Sequence, residues 1–475
     1  MHDFFSSERW IAIRRSWPWL GIAGAGFVAH AGTALLRLST FFPFPKLLDF
    51  AGFYASAWAI RQGLPPYNLP PEWLQSLQTA QAIPFSPPVI FNPPFWPWLL
   101  QPLTQFSFPV AASIWLLLNL ALLAWVTFTL VDIAGGGGWA TRRSSWTTWV
   151  PLFLLVLTFG PVFLDLTLGQ TSVVLLATAL AIGRSLTRHH SIATGSHPAN
   201  PARPPQNAGR SNGPQRWVST LVPALAGGVA VGAKLFPLVW LGALPFLRRW
   251  RELILMTLSV LAVFGLGFIV SPTSSQEYGR YLLTERLAAS SEVTSLDDQA
   301  LVAWLDRLVR PQTFTVSGFD VGQRTTVVWS PPWVVDARVV RWFGYLLLAL
   351  LLLPCLFLLL RADSEQQEAA FYLWVLYGLV ALLHIERYNH VLLLPPMAWL
   401  WGRGRWQRMV VVVGYALVGF SRLTHLWAML LSAPWGPLAA GFGTYAVFLL
   451  GVAIVVSLWP STWVNPAEAG PRVSP

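Results

Sequence analysis

The sequence predicts an all-α polytopic integral membrane protein, one domain over residues 1–475 with about twelve transmembrane helices. Three observations predict it. Apolar residues make up 55% of the chain and charged residues 11%, and long uncharged segments recur from end to end. The 27 tryptophans suit many crossings, because this side chain collects at membrane interfaces. Arginines gather in every second connection, as the positive-inside rule requires. The formal charge of +11 is therefore topology and does not imply a nucleic-acid partner. The single cysteine, Cys355, excludes disulfides and cysteine-based metal sites.

Apolar length and flanking charge place the spans at about 17–38, 108–131, 147–164, 171–187, 217–233, 235–247, 252–271, 339–360, 369–385, 390–401, 409–431 and 437–459, several of them short or bent. The first has no small-residue cleavage site after it and is expected to be retained. Arg14 and Arg15 precede it, Arg142 and Arg143 follow the second span, and Arg248, Arg249 and Arg251 follow the sixth. Arg403, Arg405 and Arg408 follow the tenth. Those connections and both termini are thus expected in the cytoplasm, with the protein multi-pass in the plasma membrane. The stretch 185–216, rich in Ser, Asn, Pro, Gly, His and Arg, predicts a disordered cytoplasmic loop. Residues 272–338 predict a long extracytoplasmic segment.

With this topology the conspicuous polar groups fall on one face, which predicts an extracytoplasmic site. Lys234 is one of two lysines and has no charged residue within a dozen positions on either side. An ammonium in such a run costs about 3 kcal/mol on insertion scales. Pro237 predicts a broken helix beside it, and a cation where helix ends meet suits an anionic ligand such as phosphate. The alternative is a side chain snorkelling to the interface. Gly228 and Gly232 form a G-x-x-x-G that lets another helix approach.

Asp49 opens a segment whose stripe, Phe50, Phe53, Tyr54, Ala57 and Trp58, predicts an interfacial helix over 50–62. Its carboxylate suits either a helix N-cap, with Gly63 as the matching stop, or a general base held at the membrane surface. Asn92 precedes two prolines that stiffen a loop. Asp165 and Gln170 interrupt two apolar spans, as a polar turn capped by Thr171 or Ser172, or as hydrogen-bonding groups for a polar head group. Glu386, Arg387 and His390 lie in a cluster beginning at His384, read either as an interfacial ion pair with solvated histidines or as phosphate- and proton-handling groups.

In order, these pieces resemble glycosyltransferase family 87, polyprenol-phosphate-dependent membrane enzymes of the GT-C superfamily. The resemblance rests on Asp49-Phe50 with R-Q-G-x-x-x-Y ending at Tyr67, then the aromatic-x-P-P element from Phe91 before Pro102-Leu103. It continues through L-G-Q at 168–170, G-x-x-x-G-x-K-x-x-P at 228–237 and R-Y-N-H-x-L-L-L-P at 387–395. The family usually has Tyr at the position of Asn92 and Asn at that of Ser172. The resemblance implies a GT-C-like fold and an inverting transferase of the cell envelope that needs no cofactor or metal. Its partners would be the lipid bilayer, a polyprenyl-phosphate-sugar donor (mannose first among the sugars) and a lipid-linked or glycan acceptor. It implies Asp49 as base with His390 orienting it or sharing its proton, Lys234 and Arg387 on the donor phosphate, and Asn92, Asp165, Gln170, Tyr54 and Glu386 on substrate. The segment 272–338 would cover the site. A transporter of an anionic or lipid-linked solute is the alternative, since broken helices and a mid-chain lysine serve transport too.

Overall fold

The structure, a computed structural model, describes residues 7–88, 90, 92–135, 146–194, 213–286, 298–317, 324–329, 334–382, 385–421, 423, 438–439 and 441–462. The long helices are α1 (Ser7–Leu36), α5 (Phe108–Ala134), α8 (Ser172–Thr194), α9 (Gly213–Ala233), α12 (Trp250–Val270), α15 (Ala337–Arg361), α16 (Gln367–Ala381), α18 (Arg405–Ser421) and α19 (Phe442–Thr462). Between them lie α2 (Leu48–Arg61), α3 (Pro71–Gln81), α4 (Phe95–Leu99), α6 (Trp146–Thr158), α7 (Gly160–Leu168), α10 (Leu238–Leu241), α11 (Ala243–Phe246), α13 (Pro272–Tyr281), α14 (Leu301–Val309) and α17 (Leu394–Trp401). Among the described residues five helices are long and apolar enough to cross a membrane, or six when α6 and α7, bent by 69° to one another, form one span. These are the helices of a membrane protein. Pro151 within α6 and Pro161 at the start of α7 locate the breaks in that bent pair.

The remaining expected spans are shorter. The segment 235–247 is not a helix: Pro237 and Pro245 leave only the one-turn α10 and α11. It still runs the depth of the bundle, because α9 and α12 on either side of it pack parallel. A Cβ at Gly227, Gly228 or Gly232 would stand 2.7, 2.1 and 2.6 Å from Met256, Ser259 and Val263 respectively, so contacts advance together along both helices. Gly228 and Gly232 therefore make the close approach their spacing predicted. The returning strand lies along α16, with Trp374 Nε1 donating to Val239 O (2.6 Å) and Gln367 Nε2 donating to Leu247 O (3.4 Å).

The segment expected to be disordered is partly helical. Residues 185–194 extend α8 and 213–216 begin α9, while 195–212 lie outside the described residues. The long segment 272–338 carries α13, α14 and an antiparallel hairpin, β1 (Gln312–Ser317) with β2 (Arg324–Trp329), an addition to the all-α expectation. The polar–apolar alternation of Thr313–Ser317 and the β-branched run Thr325–Val328 carry that signal.

Two polar ties cross the bundle. At one end Arg184 of α8 meets Asp132 of α5 at 2.5 Å and Glu368 of α16 at 3.7 Å. Midway, His30 of α1 accepts the Gly160 N–H at Nδ1 (2.8 Å) and lies 3.0 Å from Tyr415 O through Nε2. One imidazole so caps the first turn of α7 and ties it to α18. The ends opposite Arg184, namely the start of α5, the α7–α8 turn, the end of α9 and the segment after α16, converge with α2.

Candidate active site

The site begins with α2. Ten of its fourteen residues are buried, and Phe50 stacks on Trp115 at 5.5 Å. It is thus a helix wrapped by protein and not one lying in the interface as its stripe predicted. Tyr54 explains part of this: its hydroxyl lies 2.6 Å from Phe106 O and 2.9 Å from Gln81 Oε1. That places it in the scaffold joining α2 to α3 and to the entry of α5, away from the position expected of a substrate ligand. Gly63, with φ of +74°, ends the helix as predicted.

Asp49 lies in the first turn and Leu47 is the N-cap, with no side-chain cap bond. The carboxylate instead receives Gln170 Nε2 at 2.5 Å through Oδ2, so its N-cap reading does not hold. Gln170 can reach it because Gly169 closes α7 with φ of +71°, and a Cβ there would stand 2.6 Å from that of Phe50. Only glycine suits both demands. Trp115 Nε1 donates to Gly169 O at 3.0 Å and holds the turn. Burial raises the Asp49 pKa to about 6; the Gln170 bond opposes the rise, Glu386 adds to it, Lys234 opposes it and Asp165 adds.

Asp165 is different. It is fully buried, and its two oxygens accept the backbone N–H groups of Ser172 (2.8 Å) and Val173 (3.4 Å). It caps α8 from seven residues upstream, the work expected of Thr171 or Ser172. Its charge reaches Lys234, but its lone pairs are committed to the backbone.

Lys234 follows the last residue of α9. Its Nζ stands 4.1 Å over the Tyr388 ring and 3.5 Å from Asn389 Oδ1, so it points into the protein and does not snorkel. The helix end beside it presents carbonyls; only the four-residue α10 starts beyond, so exposed N–H groups add little to the pull on an anion. Burial lowers the Lys234 pKa, while Glu386, Asp165 and Asp49 hold it up. Asn92 sets its position: Nδ2 donates to Ala233 O, and Tyr67 donates to Asn92 O at 2.7 Å.

The turn after α16 is a 3₁₀ helix over Arg387–Leu393, in which residues three apart share a face. Asn389 faces Lys234 and Ser172, whose Oγ lies 3.3 Å from Asn389 Oδ1. Tyr388 covers Lys234 and hydrogen-bonds Glu386. Glu386 thereby joins the charged group around Asp49 and Lys234. Arg387 and His390 share a different face. Arg387 donates to Ser421 O at 2.8 Å. The His390 imidazole lies in the space left by Gly443, beside Gln299, and neither of its nitrogens has a partner among the described residues. His390 thus packs beside Gly443 and Gln299 and Arg387 bonds Ser421, where the resemblance implied His390 beside Asp49 and Arg387 with Lys234 on the donor phosphate. His384 lies outside the described residues.

Sequence reasoning missed Tyr388 and Asn389 as neighbours of the lysine, and Ser172 as a partner of Asn389. The 3₁₀ period was the signal available, and it is weak without knowing that the prolines at 395 and 396 delay the α-helix. Asp298 Oδ1 accepts the Ile385 N–H (3.0 Å) and that of Ala300 (3.0 Å), pinning the start of α14 onto this turn.

The assembled group is one partly accessible carboxylate, one partly accessible ammonium and an amide between α2 and α7, all at one end of the bundle. It can take a proton and stabilise an anion. The sequence matches the profile of glycosyltransferase family 87 over residues 91–384, well over half of the chain. That stretch contains Asn92, Asp165, Gln170 and Lys234, with Asp49 upstream and Asn389 downstream of it. No curated protein and no solved structure matches the chain. The extent of the profile match makes the chain a member of glycosyltransferase family 87, a membrane glycosyltransferase by family.

Proposed function

We propose that this glycosyltransferase moves a sugar, mannose first among the candidates, from a polyprenyl phosphate to a hydroxyl of a lipid-linked or glycan acceptor at the extracytoplasmic face. The proposal takes the fold as GT-C-like, with about twelve passages of the membrane counting the broken segment 235–247. The observation that carries it is the pairing of Asp49 with Lys234 at one end of the bundle, each in the electrostatic field of the other.

In the reaction the Asp49 carboxylate takes the acceptor hydroxyl proton as the oxygen attacks the anomeric carbon. The bond from that carbon to the phosphate oxygen breaks, and polyprenyl phosphate leaves with one more negative charge. Lys234 meets that charge, aimed by Asn389 and Tyr388 and seated by Asn92. A base with a pKa of about 6 is ionised at neutral pH yet basic enough to share a proton. A single attack with no covalent enzyme intermediate inverts the anomeric centre, by analogy with one-step glycosidases. Gln170 keeps the carboxylate oriented, and the Arg387–His390 face is assigned to holding the turn. A transporter would place its polar groups near mid-depth and open them to both sides; their gathering at one end favours the enzyme.

The test is sugar transfer in membranes carrying the protein, with labelled polyprenyl-phosphate mannose, arabinofuranose and glucose. Transfer from one donor, abolished by Asp49→Asn at equal protein level, is the expected result. Activity that survives in Asp49→Asn would move the base elsewhere, and no transfer from any donor would overturn the proposal.

A further inference from the structure

An apolar cavity runs from mid-depth, at Tyr415 and Leu394, to the other end of the bundle. It holds about 850 Å³ and opens between α1, α5, α6, α17 and α18. Its wall is apolar, with Leu20, Phe27, Val131, Met397 and Val412 among the lining side chains, and Leu20 and Phe27 are exposed. The position along α5 shows how far it is from the catalytic group. Trp115 bonds the Gly169 turn, and Val131 lies sixteen residues on, about 24 Å at the rise of an α-helix. A donor phosphate held by Lys234 is thus out of reach of this cavity's far end.

Among the described residues the lining contains one charged side chain and no carboxylate. That residue, Arg408, is exposed and donates through Nε to Trp401 O at 3.0 Å, with its guanidinium 5.9 Å over the Trp401 ring. These contacts fix the plane of the fork and commit only Nε, so the terminal nitrogens are available for a bidentate anion. Arg403 and Arg405 are exposed at the same junction of α17 and α18, and exposed Trp401 and Trp406 mark the depth of a membrane interface. An apolar groove that ends in a fork of positive charge at an interface matches a lipid with two chains and an anionic head. A zwitterionic head would gain little from three arginines.

We propose that this groove binds one anionic phospholipid, its acyl chains between α1, α5 and α18 and its phosphate on Arg408. The lipid enters from the leaflet opposite the reaction, which on the topology above is the cytoplasmic one. It fills the space that α1 and α18, packed on one another, leave against α5, α6 and α17, and so supports the bent span that leads to Gln170.

The test uses the full chain in phosphatidylcholine nanodiscs doped with phosphatidylglycerol, extracted and washed in detergent, with retained lipid counted by mass spectrometry. About one phosphatidylglycerol per chain is expected to remain. Arg408→Gln should lower that retention about fivefold while Arg408→Lys largely preserves it, the worth of one charge near a surface. Val412→Trp should exclude lipid of either kind by filling the groove; Met397→Trp repeats this test should the first variant fold poorly. Equal retention of phosphatidylcholine, retention indifferent to Arg408→Gln, or polyprenyl phosphate displacing the lipid would each overturn the proposal. None of these readouts depends on sugar transfer, so its outcome and that of the transfer assay are separable.

Discussion

Asp49 and Asp165 stand in one electrostatic cluster, both within the field of Lys234, and do different work. Asp49 sits on a helix that needs no cap from it, keeps some accessible surface and receives one side-chain amide. Asp165 is closed from solvent and spends both oxygens on the first turn of α8. What separates a base from a strut is therefore access for an acceptor hydroxyl, not proximity to the cation. A carboxylate closed from solvent, with both oxygens turned to backbone N–H groups, can be reached by no acceptor.

That contrast breaks most visibly at Asp49. Asp49→Asn is expected to slow transfer about a thousandfold, within the range of general-base catalysis, with the unfolding temperature of the purified protein unchanged. A large fall in that temperature would make Asp49 a strut as well. Lys234→Met should cost about a hundredfold in turnover, the scale of one transition-state donor. It should also move the acid limb of the pH–rate profile upward, because Lys234 holds the Asp49 pKa down.

Asp165→Ala should show the reverse pattern, losing about 2 kcal/mol of stability in a denaturant titration because two buried N–H groups lose their acceptor. Its pH–rate limb should stay on the acid side of neutrality, whereas a base would leave no limb to measure. For the native protein, transfer should fall as pH drops through about 6, where Asp49 gains its proton. Gln170→Leu should raise that midpoint, since the lost bond favours the ionised form. The smallest effect is expected at Tyr54→Phe: about 1 kcal/mol of stability and no change in turnover, read by thermal unfolding beside the transfer assay.

Much of this was legible in the residues because membranes make charge expensive. Asp49, Gln170 and Lys234 stood out as polar groups at the ends of apolar runs, and the structure gathers them at one end of the bundle. The capping role of Asp165 was not legible, since it depends on a chain reversal at Gly169 that brings α8 back under α7. Nor was the division of Arg387-Tyr388-Asn389-His390 between two faces, which follows from a 3₁₀ turn where extended spacing would group the residues otherwise. The burial of α2 was hidden for a related reason: its stripe of aromatics fits lipid as well as protein, and only Trp115, Phe108 and their neighbours decide which. The hairpin after α14 was marked by alternation, in a chain whose overall composition argues for helices.

The parallel pairing of α9 and α12 has a consequence for how the protein is made. The segment between them is too short and too broken by proline to be recognised by the insertion machinery as a span on its own. Its partners on α16, Phe371 and Trp374, leave the ribosome more than a hundred residues later. Until then Lys234 has neither Tyr388 nor Asn389 to face. The site is therefore completed by the last third of the chain, and in nascent chains arrested before α16 a Trp240→Cys or Leu244→Cys thiol should react with aqueous reagents that the finished protein excludes from these buried positions.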